Sequence, residues 1–135
     1  FNKNDIVTNN TGELIYNSEK VLITLKQINI GTFEIVSFKS DSTIRGLARL
    51  KLCQFLQYIN NKSPRKNNIK LILKAMNYTD RFKSLNDLVN IYKKMSFKFG
   101  KIKNDDIQAE GETTITEFLK FCDNFKKEPI KKVNL

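Results

Sequence analysis

The run DSTIRGLARLKLCQFLQYIN constrains this chain more than any other stretch. Ile44, Leu47, Ala48, Leu52, Phe55, Leu56 and Ile59 recur at i, i+3 and i+4, so a helix over 41–59 gathers them on one apolar face that other elements must cover. Asp41 or Ser42 can cap its start. Lys51 falls inside the stripe and has to snorkel or find an acidic partner. Two further segments share this rhythm. Ser84 and Asp87 form a capping box ahead of LNDLVNIYKKM, which turns Leu85, Leu88, Val89, Tyr92 and Met95 inward. Thr114 and Glu117 form a second one, opening ITEFLKFCDNFKKEP with Ile115, Phe118, Leu119, Cys122 and Phe125 at helical spacing until Pro129 stops the run.

The remaining segments are read against these three. TGELIYNSEKVLITLKQINIG starts on Thr11 as an N-cap and closes on Gly31; Leu14, Val21, Leu22, Leu25 and Ile28 make one stripe, and Tyr16, Ile23 and Ile30 a second. A pair of strands competes with that helix, because VLITL and TFEIVSF are β-branched and partly alternating. Helix is taken for 12–30, and 32–39 is ambiguous between helix and strand. NNKSPRKNN is a basic loop, and Ile69, Ile72, Leu73 and Met76 mark a short helix after it. SFKFGKIKNDDIQAEGE reads as a loop or a short strand. The expected architecture is all-α: a single-domain bundle of about five helices over 1–135, with 1–10 and 129–135 as terminal tails.

Composition excludes several chemistries. With no histidine and two cysteines, Cys53 and Cys122, the chain cannot assemble an ordinary zinc site or a triad built on histidine. The five glycines never cluster into a phosphate-cradling loop, and Asp105 with Asp106 reads as a solvated turn. No catalytic residue, metal or cofactor emerges, and the expectation is a protein that is not an enzyme. Cys53 and Cys122 are either two buried thiols or one possible disulfide between helices.

Charge points to the kind of partner. The chain carries 24 basic and 14 acidic residues, and residues 42–79 hold eight cations with no Asp or Glu. A field of one sign over that much surface favours a polyanion, an acidic membrane face or an acidic protein. The candidate basic contacts are Arg45, Arg49, Lys62, Arg65, Lys66, Lys70, Lys74, Lys93, Lys94, Lys98, Lys101 and Lys103. Apolar residues outside the core stripes, Ile15, Tyr16, Ile23, Leu50, Leu71, Ile91, Phe97 and Phe99, are expected to be exposed beside them and to enter a lipid surface. A winged-helix unit over 69–103, with Asn86, Asn90, Lys93 and Lys94 on bases and phosphates, is the nucleic-acid alternative and is disfavoured by the long turn YTDRFKS.

The order of residues in ITEFLKFCDNFKKEP resembles the last helix of the abalone sperm acrosomal protein family, lysin and its fusogenic paralogue. DSTIRGLARLKLCQFLQYI and NYTDRFKSLNDLVNIYKKM resemble two earlier helices of the same family. The resemblance implies a secreted, non-enzymatic protein of the sperm acrosomal vesicle. It implies as partners egg membrane lipids or an egg-coat glycoprotein, with a possible homodimer through an apolar face and nucleic acid unfavoured. The chain departs from lysin in lacking Trp and His and in its N-terminal third, including 32–40, and its many apolar residues outside the core stripes place it nearer the fusogenic paralogue. A four-helix cytokine-like ligand shares the helical plan and is the other secreted reading.

Overall fold

The fold is a mixed β-sheet with helices packed on it, seen in a computed structural model that describes residues 1–76, 84–103 and 105–125 and the backbone of 131 and 132. A 3-10 turn at Lys3–Asp5 leads into β1 (Ile6–Thr8), β2 (Glu13–Ser18), β3 (Val21–Asn29) and β4 (Thr32–Ser40). Then come β5 (Ile44–Arg45), α1 (Leu47–Lys62), β6 (Lys70–Met76), α2 (Leu85–Lys94), β7 (Lys98–Phe99), β8 (Gln108–Thr114), α3 (Ile115–Phe125) and β9 (Lys131–Lys132). Seven of the strands form one sheet in the order β1-β2-β3-β4-β6-β8-β7, while β5 and β9 pair separately. Every neighbouring pair is antiparallel except β4 with β6, which run parallel because α1 carries the chain back from one to the other.

The all-α expectation is therefore overturned, and with it the helix over 12–30 and the short helix after the basic loop. Tyr16 and Ile23, seven apart in sequence, are cross-strand partners in the β2–β3 ladder. In β6, Leu71, Leu73 and Ala75 are buried while Lys70 and Lys74 are exposed, the period-2 pattern of a strand covered on one side. Phe33 pairs with Leu71 and Ile35 with Leu73, so β4 and β6 offer their apolar residues to the same side. Residues 6–8, expected in a tail, form the edge strand β1. Of the expected 129–135 tail, Lys131–Lys132 pair with β5 and the rest lies outside the described residues.

The three segments with the clearest helical spacing are helices. Ser84 Oγ accepts the Asp87 N–H at 3.2 Å and Thr114 Oγ1 accepts the Glu117 N–H at 3.1 Å, as their capping boxes require. The first helix begins later than expected, after Gly46, whose φ of 81° belongs to the left-handed region, so neither Asp41 nor Ser42 caps it. Its stripe fills the core: Phe55 lies 6.1 Å from Tyr16 of β2, ring to ring. Cys53 and Cys122 are bonded to each other with Cα atoms 5.7 Å apart, which ties α1 to α3. Lys51 meets its acidic partner, with Nζ 2.6 Å from Glu19 Oε2 in the β2–β3 turn.

Candidate functional site

The sheet has two ends, and topology assigns the functional candidates to them. At one end β4 and β6 finish, α1 begins and α3 finishes. At the other α1 finishes, β6 begins and α3 begins. Arg45, Arg49, Lys74, Lys101 and Lys103 belong to the first end, while Lys62, Arg65, Lys66, Lys70, Lys93, Lys94 and Lys98 belong to the second. The fold thus splits the predicted basic surface into two groups.

The first end is the more structured. The β4–β6 ladder covers only Thr32 to Ile35 and Lys70 to Leu73, yet β4 continues to Ser40 and β6 to Met76. A register shift in the β3–β4 ladder leaves Val36 as an extra residue at the point where pairing with β6 stops. A bulge bends and twists its strand, and beyond it residues 36–40 of β4 and 74–76 of β6 no longer pair with each other. Carboxyl ends of parallel strands are where open α/β sheets bind ligands.

The N-terminus of α1 belongs to this same end of the sheet. Its cap residue Gly46 makes no side-chain hydrogen bond, which leaves the first N–H groups of the helix without an intrahelical partner or a side-chain cap. Such a terminus attracts anions through those N–H groups and the helix dipole. Arg45 precedes it and Arg49 sits in its first turn, with the guanidinium 5.2 Å from the centroid of Phe125 at the end of α3. The same Phe125 ring approaches Gly46, where a Cβ would lie 3.1 Å from its Cζ, so any larger residue at 46 would crowd α3. The disulfide lies about one turn away on each helix, Cys53 after Arg49 in α1 and Cys122 before Phe125 in α3. It holds Phe125 against Arg49 and keeps the guanidinium beside the helix start.

The predicted apolar contacts fare differently. Tyr16, Ile23, Leu71 and Phe97 are core residues and cannot meet a lipid surface, since each belongs to the covered side of the sheet or to the packing beneath α2 and α3. Ile91 and Phe99 are half-buried and pack against that core, and Ile15 and Leu50 are half-buried too. Among the described residues, the exposed large apolar ones are Phe1, Val7, Ile28, Ile30, Val36 and Ile107. Sequence reasoning missed them because it sought residues off a helical stripe, whereas Ile28 and Ile30 lie at the tip of a hairpin. Gly46 was missed as well, although a glycine just ahead of the Leu47 stripe was a signal for the cap.

Two further groups have perturbed acidity or unusual burial. Burial raises the Tyr92 phenol on α2 above its ordinary value. Asn60 is buried and its side chain holds the turn after α1: Oδ1 accepts the Asn67 N–H at 2.8 Å and Nδ2 donates to Asn67 Oδ1 at 3.1 Å. No cluster of three metal-ligating side chains occurs among the described residues.

No protein-family model and no curated protein matches this sequence. Among solved structures, the chain is similar to the crystal structure of the anti-CRISPR protein AcrVA5, with a TM-score of 0.52 and 15% identity over 73% of this chain and 96% of that one. At that identity the likeness is one of fold.

Proposed function

We propose that a crevice between the ends of β4 and β6 binds a coenzyme-A-type thioester and serves transfer of its acyl group to a nucleophilic acceptor, the coenzyme leaving as its free thiol. The observation that carries the reading is the short β4–β6 ladder, which ends at Ile35 and Leu73 at the same end of the sheet as the uncapped start of α1. Such a ligand combines a diphosphate with an extended arm bearing two amides, and the crevice offers a counterpart to each. The α1 N–H groups, Arg45 and Arg49 suit the diphosphate; Arg is the residue of choice for forked contacts to phosphate oxygens. The edge of β4 beyond Val36, no longer paired with β6, suits the amides, which can add to it as a strand would.

The residues present fit this group in charge and backbone supply. When bound, the ligand supplies an activated acyl group. The chain's own part is to hold the diphosphate at α1, to align the arm along β4 and to keep water from the covered side of the sheet. The reading departs from the non-catalytic expectation, which rested on the lack of a side-chain catalytic set; transfer from a thioester asks mainly for positioning. The fertilisation reading leaned on a helical plan that this sheet does not share, and it is not carried forward. Likeness in fold to an anti-CRISPR protein transfers no activity to this chain.

Isothermal titration with coenzyme A tests the proposal. Binding is expected in the range of about 1 μM to 1 mM usual for enzyme ligands. Replacing Arg45 and Arg49 together with Gln should weaken it by about 10-fold or more, the loss expected when charged hydrogen bonds are removed. No heat of binding at millimolar ligand, from protein whose circular dichroism shows the mixed fold, would overturn it.

A further inference from the structure

The opposite end of the sheet carries the second group of cations and an apolar tip. The hairpin between β3 and β4 turns through Ile30 and Gly31, where Asn29 Oδ1 accepts the Gly31 N–H at 3.0 Å and stiffens the bend. Ile30 in that turn and Ile28 just before it are 61% and 47% exposed. The basic loop after α1 lies against it: the Lys70 N–H donates to the Gly31 carbonyl at 2.7 Å, and the Asn68 carbonyl is 3.6 Å from where a Gly31 Cβ would stand. Arg65 and Lys66 in that loop are exposed and belong to none of the ion pairs among the described residues. Lys62 stands over the Tyr58 ring at 5.4 Å, at the end of α1.

Two of the acidic residues at this end are held in ion pairs. Glu112 pairs with Lys70 at 2.8 Å and Glu117 with Lys120 at 3.3 Å, while Glu13 and Glu34 both sit opposite Lys26 in the β3 ladders. Lys93, Lys94 and Lys98 add three more exposed cations at the same end. The end of the sheet that carries the two exposed isoleucines thus also carries an excess of cations.

We infer that this end docks on an anionic lipid surface, with Ile28 and Ile30 entering the headgroup boundary and Lys62, Arg65 and Lys66 facing acidic headgroups. The apolar tip decides between lipid and nucleic acid. Phosphates of a duplex would be met by the cations alone, whereas a bilayer also gains from burying the isoleucines. Each cation near an acidic leaflet and each buried apolar side chain strengthens binding several-fold. The inference is independent of the crevice at the other end.

Cosedimentation with vesicles tests it. The protein is expected to bind phosphatidylcholine vesicles containing phosphatidylserine and to leave pure phosphatidylcholine vesicles largely unbound. The variant Ile28→Ser with Ile30→Ser should bind the acidic vesicles about 10-fold more weakly, and Lys62→Gln with Arg65→Gln and Lys66→Gln should do so to at least the same degree. All five positions are exposed, so the variants retain the fold, which thermal melting verifies. Two results would overturn the inference: no binding to acidic vesicles, or binding that the isoleucine variant leaves unchanged. Duplex DNA serves as the comparison, and binding to it as tight as to vesicles and unaffected by the isoleucine variant would also overturn it.

Discussion

Glu19 and Lys51 show how one residue pair can hold two layers together. Burial alone would push Lys51 down, but the hydrogen bond and charge of Glu19, with a contribution from Tyr16, outweigh it and hold the ammonium above its ordinary range. Glu19 moves the other way: the hydrogen bond from Lys51, and then its charge, hold the carboxylate below its ordinary value of 4.5. A carboxylate with a lowered folded pKa contributes stability that is present above pH 4.5 and is lost as pH falls through the lowered value. The raised Lys51 contributes stability below its ordinary 10.5 that is lost as pH rises beyond its folded value. Glu13 is lowered as well, by hydrogen bonds from Asn9 and Thr11, and adds to the acid side. Melting temperature should therefore fall as pH drops below about 4.5, and Glu19→Gln should make that fall shallower. An acid limb identical in the variant and the parent would remove the pair from this role. Lys51 was legible in sequence as a cation inside an apolar stripe; Glu19 was not, because its partner is set by the β2–β3 hairpin.

At the scale of elements, the disulfide makes the strongest single prediction. It closes a separation of 69 residues between α1 and α3, and loop-entropy arguments give about 4 kcal/mol for a closure of that length. Urea melts of the Cys53→Ser, Cys122→Ser variant should show a loss of roughly 2–5 kcal/mol; a midpoint unmoved from the oxidised protein would contradict the account. The three helices were readable because their stripes are unambiguous over ten or more residues. The strands were not. Val21 to Leu25 is apolar on both sides of the chain, and such a run fits either period. In IKLILKAM the set Ile69, Ile72, Leu73 and Met76 obeys helical spacing while Leu71, Leu73 and Ala75 obey strand spacing, and burial selects the second. The β2–β3 turn adds no warning: Glu19 and Lys20 adopt φ of 52° and 64° without the Asn-Gly pair that usually announces such a turn.

For the whole molecule, the crevice is a product of topology. Ile35 and Leu73 lie far apart in sequence, and only the return through α1 makes them parallel neighbours. Arg45 and Arg49 were picked out by charge, yet nothing in their spacing placed them at a helix start at the end of the sheet where two strands stop pairing. The same topology separates them from Arg65 and Lys66, so one basic chain acquires two distinct cationic groups, one at each end of the sheet. The central claim is that the α1 start and the free length of β4 form one ligand site. An amide-resolved NMR titration with coenzyme A tests it most directly: the account predicts shifts concentrated at Gly46, Leu47, Ala48 and Arg49 and along 36–40. Shifts absent from both segments at saturating ligand, or confined to the loop at 63–68, would contradict it.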